Sequence, residues 1–327
     1  MNILVTGGAG YIGSHMVKVL LDSGHSVVVA DSLVQGHSES VDPRAVFMQG
    51  DLLEKSFVDS IFSSHRLDAV IHFAAYISVA ESMQYPGKYF GNNVQGLVQL
   101  LDAMVDHQVA SIIFSSTAAV YGNPKTVPIP ENHDKNPESP YGESKLMAEK
   151  ILSWYQKTKN INYVALRYFN ACGASLDASI GEQHNPETHL IPNALMAAVQ
   201  GTEFTLYGDD YDTPDGSCIR DYIHVLDLAR AHMAGLEKLQ KNPGGYAYNV
   251  GTGKGYSNRE VIEMVKKVTN KDIRITTADR RPGDPAVLIA QIDAIKNELQ
   301  FVPEHSDLET IVSTAYAWLN KNNELQK

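Results

Sequence analysis

The sequence predicts an α/β fold: a doubly wound parallel sheet with a smaller α/β substrate-binding lobe. Three observations carry this. Short apolar runs alternate with helical periodicity through the first half of the chain. A glycine-spaced turn joins the first strand to the first helix, and the regular alternation loosens after about Asn170. Helices between short apolar strands imply a parallel sheet covered on both faces. A chain of 327 residues accommodates two lobes, read here as 1–170 and 171–327. The boundary is soft, because 223–250 can return to the first lobe.

Ile3-Leu4-Val5 reads as a buried strand that runs into Gly7-Gly8-Ala9-Gly10-Tyr11-Ile12-Gly13. Val17, Leu20 and Leu21 then recur at helical spacing until Gly24, a helix stop. Val27-Val28-Val29-Ala30 is the second strand, ended by Asp31. Among Gly7, Gly10 and Gly13, one permits the chain reversal, one lets the backbone approach a pyrophosphate, and one lets helix and strand pack closely. The helix start offers unpaired N–H groups and partial positive charge to phosphates. Asp31 lies 18 residues beyond Gly13, near the ~20 expected for a carboxylate on an adenosine ribose. That carboxylate would repel a 2′-phosphate, so NAD is expected rather than NADP. This is a Rossmann-type arrangement. The plain alternative is a structural βα turn in a protein that binds something else.

Further strands are expected at 46–48, 69–73, 111–114 and 163–166, with a long amphipathic helix at 89–106. Ligands sit beyond the carboxyl ends of such strands. Asp51, Phe73-Ala74-Ala75 and Ser115-Ser116-Thr117 fall there. Asp51 fits an adenine contact or, equally, a helix cap. Residues 171–189 form a polar loop too long to be mere connection. Helices near 192–200, 258–269 and 308–319 follow, with strands near 204–207 and 246–250.

A formal charge of −11 and a pI near 5.5 argue against a nucleic-acid or anionic-membrane partner. A phosphorylated ligand must then be held by local donors. Cys172 and Cys218 are too few for a disulfide framework, which fits a reducing cytoplasm. The chain starts directly in a strand, without a basic-then-apolar signal segment. No apolar run approaches the ~20 residues of a membrane span.

Ser139-Pro140-Tyr141-Gly142-Glu143-Ser144-Lys145 begins a helix, with Ser139 as cap and Pro140 in the first turn. Tyr141 and Lys145, four apart, share a face. An ammonium ~5 Å from a phenol at an effective dielectric of ~20 is worth about 3 kcal/mol, a little over two pKa units. With the positive nicotinamide ring of NAD⁺ added, Tyr141 becomes a workable base near neutrality, suited to taking a hydroxyl proton as hydride leaves. Thr117, at the end of the fifth strand, is placed to relay or orient that proton. In isolation the pair would read as an incidental feature of a surface helix; the glycine turn changes that. Glu182, His184, Glu187 and His189 mimic a metal cluster, but on a polar loop without fixed ligand spacing no metal is expected.

The glycine turn, Ser115-Ser116-Thr117 and Tyr141-x-x-x-Lys145 resemble the extended short-chain dehydrogenase/reductase superfamily. Arg167-Tyr168-Phe169-Asn170, Thr188-His189-Leu190-Ile191-Pro192, Arg220-Asp221-Tyr222-Ile223-His224-Val225 and Arg280-Arg281-Pro282-Gly283-Asp284-Pro285 narrow the resemblance. In that order they are similar to the UDP-glucose 4-epimerases over nearly the whole chain. The resemblance implies a homodimer that uses NAD to oxidise a UDP-sugar transiently at C4 and return the hydride to its opposite face. It makes Tyr141, Lys145 and Thr117 catalytic. It places Gly7, Gly10, Tyr11, Ile12, Gly13, Asp31, Asp51, Leu52, Phe73, Ala74, Ala75, Asn92, Ser115, Tyr141, Lys145 and Tyr168 with the cofactor. Asn170, Arg220 and Arg281 would contact the substrate phosphates and Asp284 the uridine ribose. His189 and Leu190 would hold the nucleotide, Tyr207 would flank the uracil, and Thr117 and Leu288 would lie by the sugar. From residue type alone, Arg220 and Arg281 fit diphosphate binding or surface ion pairs equally.

Two positions depart from the family. Ile77 stands where many members carry a lysine that touches the cofactor phosphates, and Leu288 fills a gate position intermediate between bulky and small. A 4,6-dehydratase would need Asp-Glu after the threonine, where this chain has Ala118-Ala119. Epimerases of other UDP-sugars (N-acetylhexosamine, glucuronate or pentose) remain alternatives. A non-catalytic NAD-sensing regulator is a further one, although such proteins typically lose the Tyr-Lys pair.

Overall fold

The computed structural model describes residues 1–281 and 283–325, with side chains through Asn322. Pro282, within the 280–285 run singled out above, lies outside the described residues. The first strands are β1 (Asn2–Thr6), β2 (Ser26–Asp31), β3 (Val46–Gln49), β4 (Ala69–His72), β5 (Ser111–Thr117) and β6 (Asn162–Tyr168). Then come β7 (Asn170–Cys172), β8 (Glu203–Tyr207), β9 (Ile219–His224), β10 (Gly245–Val250), β11 (Gly255–Ser257), β12 (Arg274–Ala278) and β13 (Val287–Leu288). Helices α1 (Tyr11–Asp22), α2 (Lys55–Ser64), α3 (Val79–Gln84), α4 (Pro86–Tyr89), α5 (Gly96–Asp106) and α6 (Pro140–Lys159) lie in the first half. Helices α7 (Leu190–Gln200), α8 (Val225–Lys241), α9 (Asn258–Thr269), α10 (Asp293–Leu299) and α11 (Leu308–Leu325) complete the set.

Seven strands form one parallel sheet in the order β10-β6-β5-β4-β1-β2-β3. The strands are mainly apolar at their centres because both faces are covered, and alternate residues serve opposite cores. Ile3 and Val5 pack with Met16, Val17 and Leu20 of α1 and with Leu228 and Ala229 of α8. Leu4 faces the other way, into a core shared with Ile61 of α2, Leu97, Leu100 and Leu101 of α5 and Leu152 of α6. The chain order reverses between β1 and β4, so a crevice opens beyond their carboxyl ends. That is where the glycine turn sits.

The strand near 246–250 takes the course that the soft boundary at 223–250 left open and returns to the first lobe. As β10 it extends the large sheet at its edge, parallel to β6, because α8 packs back over β5 and β6 beneath Gly235. The 89–106 helix is also interrupted. A π turn over Phe90–Gln95 separates α4 from α5, and such turns insert an extra residue that re-aims side chains.

A second group of strands places β9 between β11 and β13, with β7 also paired to β9. A separate parallel pair joins β12 to β8. Their core is Ile191 and Leu195 of α7, Val261 and Val265 of α9, and Ile311 and Val312 of α11. Among the described residues no helix is long and apolar enough to cross a membrane.

Candidate active site

The turn after β1 is built by steric necessity. Gly7 holds a left-handed φ of 71°, and a Cβ there would fall 2.6 Å from the Ala74 nitrogen. A Cβ on Gly13 would lie 2.1 Å from the Gly7 carbonyl oxygen, so helix and turn touch through backbone alone. Gly10 differs: it is the N-cap of α1, and its added Cβ would meet only the Gly7 oxygen, at 3.4 Å. No side chain caps α1, so its first N–H groups face outward as an anion cradle. This donor set fits a dinucleotide pyrophosphate. Asp31 accepts the Ala9 N–H at 3.0 Å and the Leu33 N–H at 2.9 Å. Its carboxylate therefore also orders the turn itself.

Other residues expected around the cofactor divide into two groups. Phe73, Ala74 and Ala75 follow β4, with the Phe73 N–H bonded to the Thr6 carbonyl at 2.9 Å and Ala74 against Gly7. Tyr11 donates its hydroxyl to the Gly173 carbonyl at 2.6 Å, joining the turn to the segment after β7. Ile12 packs against the core beneath α1. Asn92 lies in the π turn and donates to Asn93 at 2.9 Å. Three side chains have partners within the protein. Asp51 accepts the Leu53 N–H at 2.9 Å, the turn-forming role, and Leu52 is committed to the core. The Tyr168 hydroxyl engages His232 of α8 at 2.5 Å.

Tyr141, Lys145 and Thr117 come together where β5 ends against the start of α6. Ser139 caps that helix, its hydroxyl accepting the Gly142 N–H at 3.1 Å. Lys145 is buried; its ammonium donates to the Ser115 carbonyl at 2.9 Å and lies 5.0 Å from the Phe114 ring centroid. Burial alone lowers its pKa to about 7. The acidic phenol expected at Tyr141 needs the nicotinamide ring as well as Lys145, and the cofactor-free chain carries only the second of these. Burial pushes the Tyr141 phenol up from its ordinary value, opposed only by the Thr117 hydroxyl. Desolvation of the enclosed phenolate is the larger cause, and the Lys145 ammonium is turned to a backbone carbonyl.

Two supports behind this centre were not visible in sequence. Asn93, aimed inward by the π turn, accepts the Tyr76 N–H at 2.9 Å and donates to the Ser144 hydroxyl at 3.1 Å. It thus ties the segment after β4 to α6 beside Lys145. Glu149, one turn beyond Lys145, accepts from Ser116 at 2.6 Å and from Arg167. The only signal was a carboxylate four residues after the lysine.

The second group of strands carries the remaining residues. Asn170 donates to the Asp221 carbonyl at 2.9 Å. Arg220 on β9 is buried, donates to the Ile219 carbonyl at 2.8 Å and is ion-paired with Asp284. The Arg281 guanidinium lies 4.2 Å from the centroid of the half-exposed Tyr207 ring. Leu288 on β13 pairs in register with Arg220 and packs on the cluster of Ala118, Val120 and Leu146. That contact brings the second group of strands against the end of β5 and against α6. His189 precedes α7 and Leu190 begins it, packed on that helix core. The donor atoms of Glu182, His184, Glu187 and His189 all lie within 4.8 Å of one another, a convergence their spacing did not convey.

A glycine-turn cradle at the switch point of a parallel sheet, with a buried Tyr-Lys pair beside it, defines a dinucleotide-dependent enzyme of the dehydrogenase/reductase type. Residues 3–251 match the model of the NAD dependent epimerase/dehydratase family. The chain is 49% identical to the UDP-glucose 4-epimerase of Lactobacillus helveticus, over 97% of both chains. Among solved structures it is similar to the UDP-glucose 4-epimerase of Brucella ovis in complex with NAD (TM-score 0.93, 46% identity, 96% of this chain and 97% of that one). It is similar also to the Bifidobacterium longum enzyme in complex with NAD⁺ and UDP (TM-score 0.93, 36% identity, 99% of each chain). The chain belongs to the NAD-dependent epimerase/dehydratase family, in its UDP-glucose 4-epimerase branch.

Proposed function

We propose that this chain interconverts UDP-glucose and UDP-galactose through a 4-keto sugar, with NAD restored in every cycle. One observation carries the reading: Thr117, Tyr141 and Lys145 share the crevice end of β5 with the uncapped start of α1. NAD, when bound, supplies the hydride acceptor and later the donor. Gly10, Tyr11 and Ile12 would hold its pyrophosphate and Asp31 its ribose.

Tyr141 takes the C4 hydroxyl proton during oxidation and gives a proton to the carbonyl oxygen on return. Thr117 orients that hydroxyl, and Lys145, turned to the Ser115 carbonyl in the cofactor-free chain, would add its charge to that of the oxidised ring when NAD⁺ is bound. Asn170, Arg220 and Arg281 anchor the diphosphate, with Arg220 pre-oriented by Asp284 and the Ile219 carbonyl. Asp284 takes the uridine ribose, Tyr207 the uracil, and His189 with Leu190 the nucleotide. Firm anchoring of the nucleotide with few contacts to the sugar lets the keto sugar turn, presenting its other face. Leu288, intermediate in size, bounds the space beside it.

Incubating the purified protein with UDP-galactose and chromatographing the products tests this directly. UDP-glucose at equilibrium is the expected outcome. None formed despite bound NAD overturns it, in favour of another UDP-sugar or of an NAD-sensing regulator. On this reading the activity belongs to galactose metabolism, and the free, buried Cys172 and Cys218 support a reducing compartment such as the cytoplasm. A homodimer through α5 and α6 is supported by the exposed Trp154 and Met147 on α6; sedimentation tests it.

A further inference from the structure

The loop between β7 and α7 gathers four metal-ligating side chains that the reaction does not use together. The Nδ1 atoms of His184 and His189 both point at one oxygen of Glu182, 3.1 and 2.5 Å away. His184 Nδ1 lies 3.8 Å from Oε2 of Glu187, and His189 Nδ1 lies 3.4 Å from Oε1 of the same carboxylate. Four donors around a tetrahedral zinc at about 2.0–2.2 Å would be separated by roughly 3.3 Å. The four imidazole–carboxylate separations scatter around that value, and all the donors lie within 4.8 Å of one another.

The ligand carriers are held in place from outside, as metal ligands generally are. One oxygen of Glu187 accepts the Thr188 and His189 N–H groups at 2.7 and 2.8 Å, leaving the other free. The Glu182 carbonyl accepts the Trp318 indole N–H at 3.1 Å. The Gln183 carbonyl meets His37 Nε2 at 3.1 Å, and the Tyr11 ring stands edge-on to His184. Both carboxylates are more than nine-tenths buried, with side chains 6% and 9% exposed. A single dication between the four donors balances both buried carboxylates.

Against the expectation from sequence, we propose that Glu182, His184, Glu187 and His189 form a structural divalent-metal site that takes Zn²⁺. Mixed imidazole and carboxylate donors at tetrahedral spacing suit zinc, whereas Mg²⁺ and Ca²⁺ take oxygen-rich shells of six or more ligands. The ion would close the 182–189 loop against Tyr11 of the glycine turn. His189 would bind it through Nδ1 and keep Nε2 for the nucleotide. The proposal stands apart from the epimerase reading, since no catalytic step passes through the ion.

The test is zinc binding by the NAD-loaded protein after EDTA treatment, measured by equilibrium dialysis and elemental analysis with Mg²⁺ as control. One equivalent of zinc per chain is expected, with affinity reduced at least about 100-fold in Glu182→Gln and His184→Ala. Variants that bind zinc as tightly as the native chain overturn the site, as does a native chain that takes up none. Should a variant fail to fold, Co²⁺ loading of the native protein decides: a tetrahedral visible spectrum supports the site, and an octahedral spectrum or none overturns it.

Discussion

Arg167 grips Glu149 with two parallel bonds, Nε to Oε1 at 2.8 Å and Nη2 to Oε2 at 2.7 Å, in the interior. Arg167 also donates to the Tyr121 hydroxyl at 2.8 Å, which in turn donates to Asn249 at 2.6 Å. The chain of bonds runs from α6 through β6 to β10. It locks the helix that carries Tyr141 and Lys145 against the sheet. Removing one partner leaves a buried charge unpaired, so Glu149→Ala should cost about 3–5 kcal/mol. The double change Glu149→Leu with Arg167→Leu should cost less than Glu149→Ala alone. Urea unfolding of both variants measures the difference.

Tyr141→Phe and Thr117→Val should lower turnover by about 10²–10⁴-fold and leave UDP affinity nearly unchanged. Calorimetric titration with UDP beside a kcat measurement separates the two quantities. Loss of UDP binding in either variant would refute the assigned roles.

Lys145 makes apo stability depend on pH. Burial lowers its pKa to about 7 in the folded protein, against ~10.4 in the unfolded chain. Between those values the unfolded state binds the extra proton, so this group's contribution to stability rises with pH. Below pH 7 both states are protonated and the full burial penalty applies. Lys145→Met should therefore stabilise the cofactor-free protein at pH 6, on the order of a few kcal/mol, and progressively less toward pH 10. A gain independent of pH in thermal unfolding would contradict the assignment.

Gly10→Ala and Gly13→Ala should fail differently. A methyl at Gly13 collides with the Gly7 carbonyl at 2.1 Å, so the turn itself must open and the melting temperature fall. At Gly10 the methyl meets protein only at 3.4 Å, at the N-cap position of α1 where the cradle is formed. Gly10→Ala should keep the apo melting temperature within a few degrees, yet purify with far less NAD. Cofactor content and thermal unfolding, measured together, check the contrast.

Much of this was legible because it is local. Unbroken apolar runs at 3–5, 27–30 and 112–114 mark strands covered on both faces. The glycine spacing, Asp31 and the Tyr141-Lys145 pair each lie within one or two elements, where the backbone period dictates who is neighbour to whom. Ionisation was less legible: spacing puts an ammonium near a phenol but says nothing of the water excluded from both. Asn93 was hidden because a π turn shifts helix phase, and that shift depends on contacts with α6.

The chain order of apolar runs, glycines and caps by itself determined the parallel sheet, its ligand-binding edge and the catalytic pair, since short-range sterics and burial periodicity specify those. Tertiary structure alone decided that β10 returns to the large sheet and that Arg167 neutralises Glu149. It also decided that two histidines and two glutamates from one polar loop meet at a point. These depend on how separate elements dock, and docking energy is spread over surfaces that no single stretch of sequence contains.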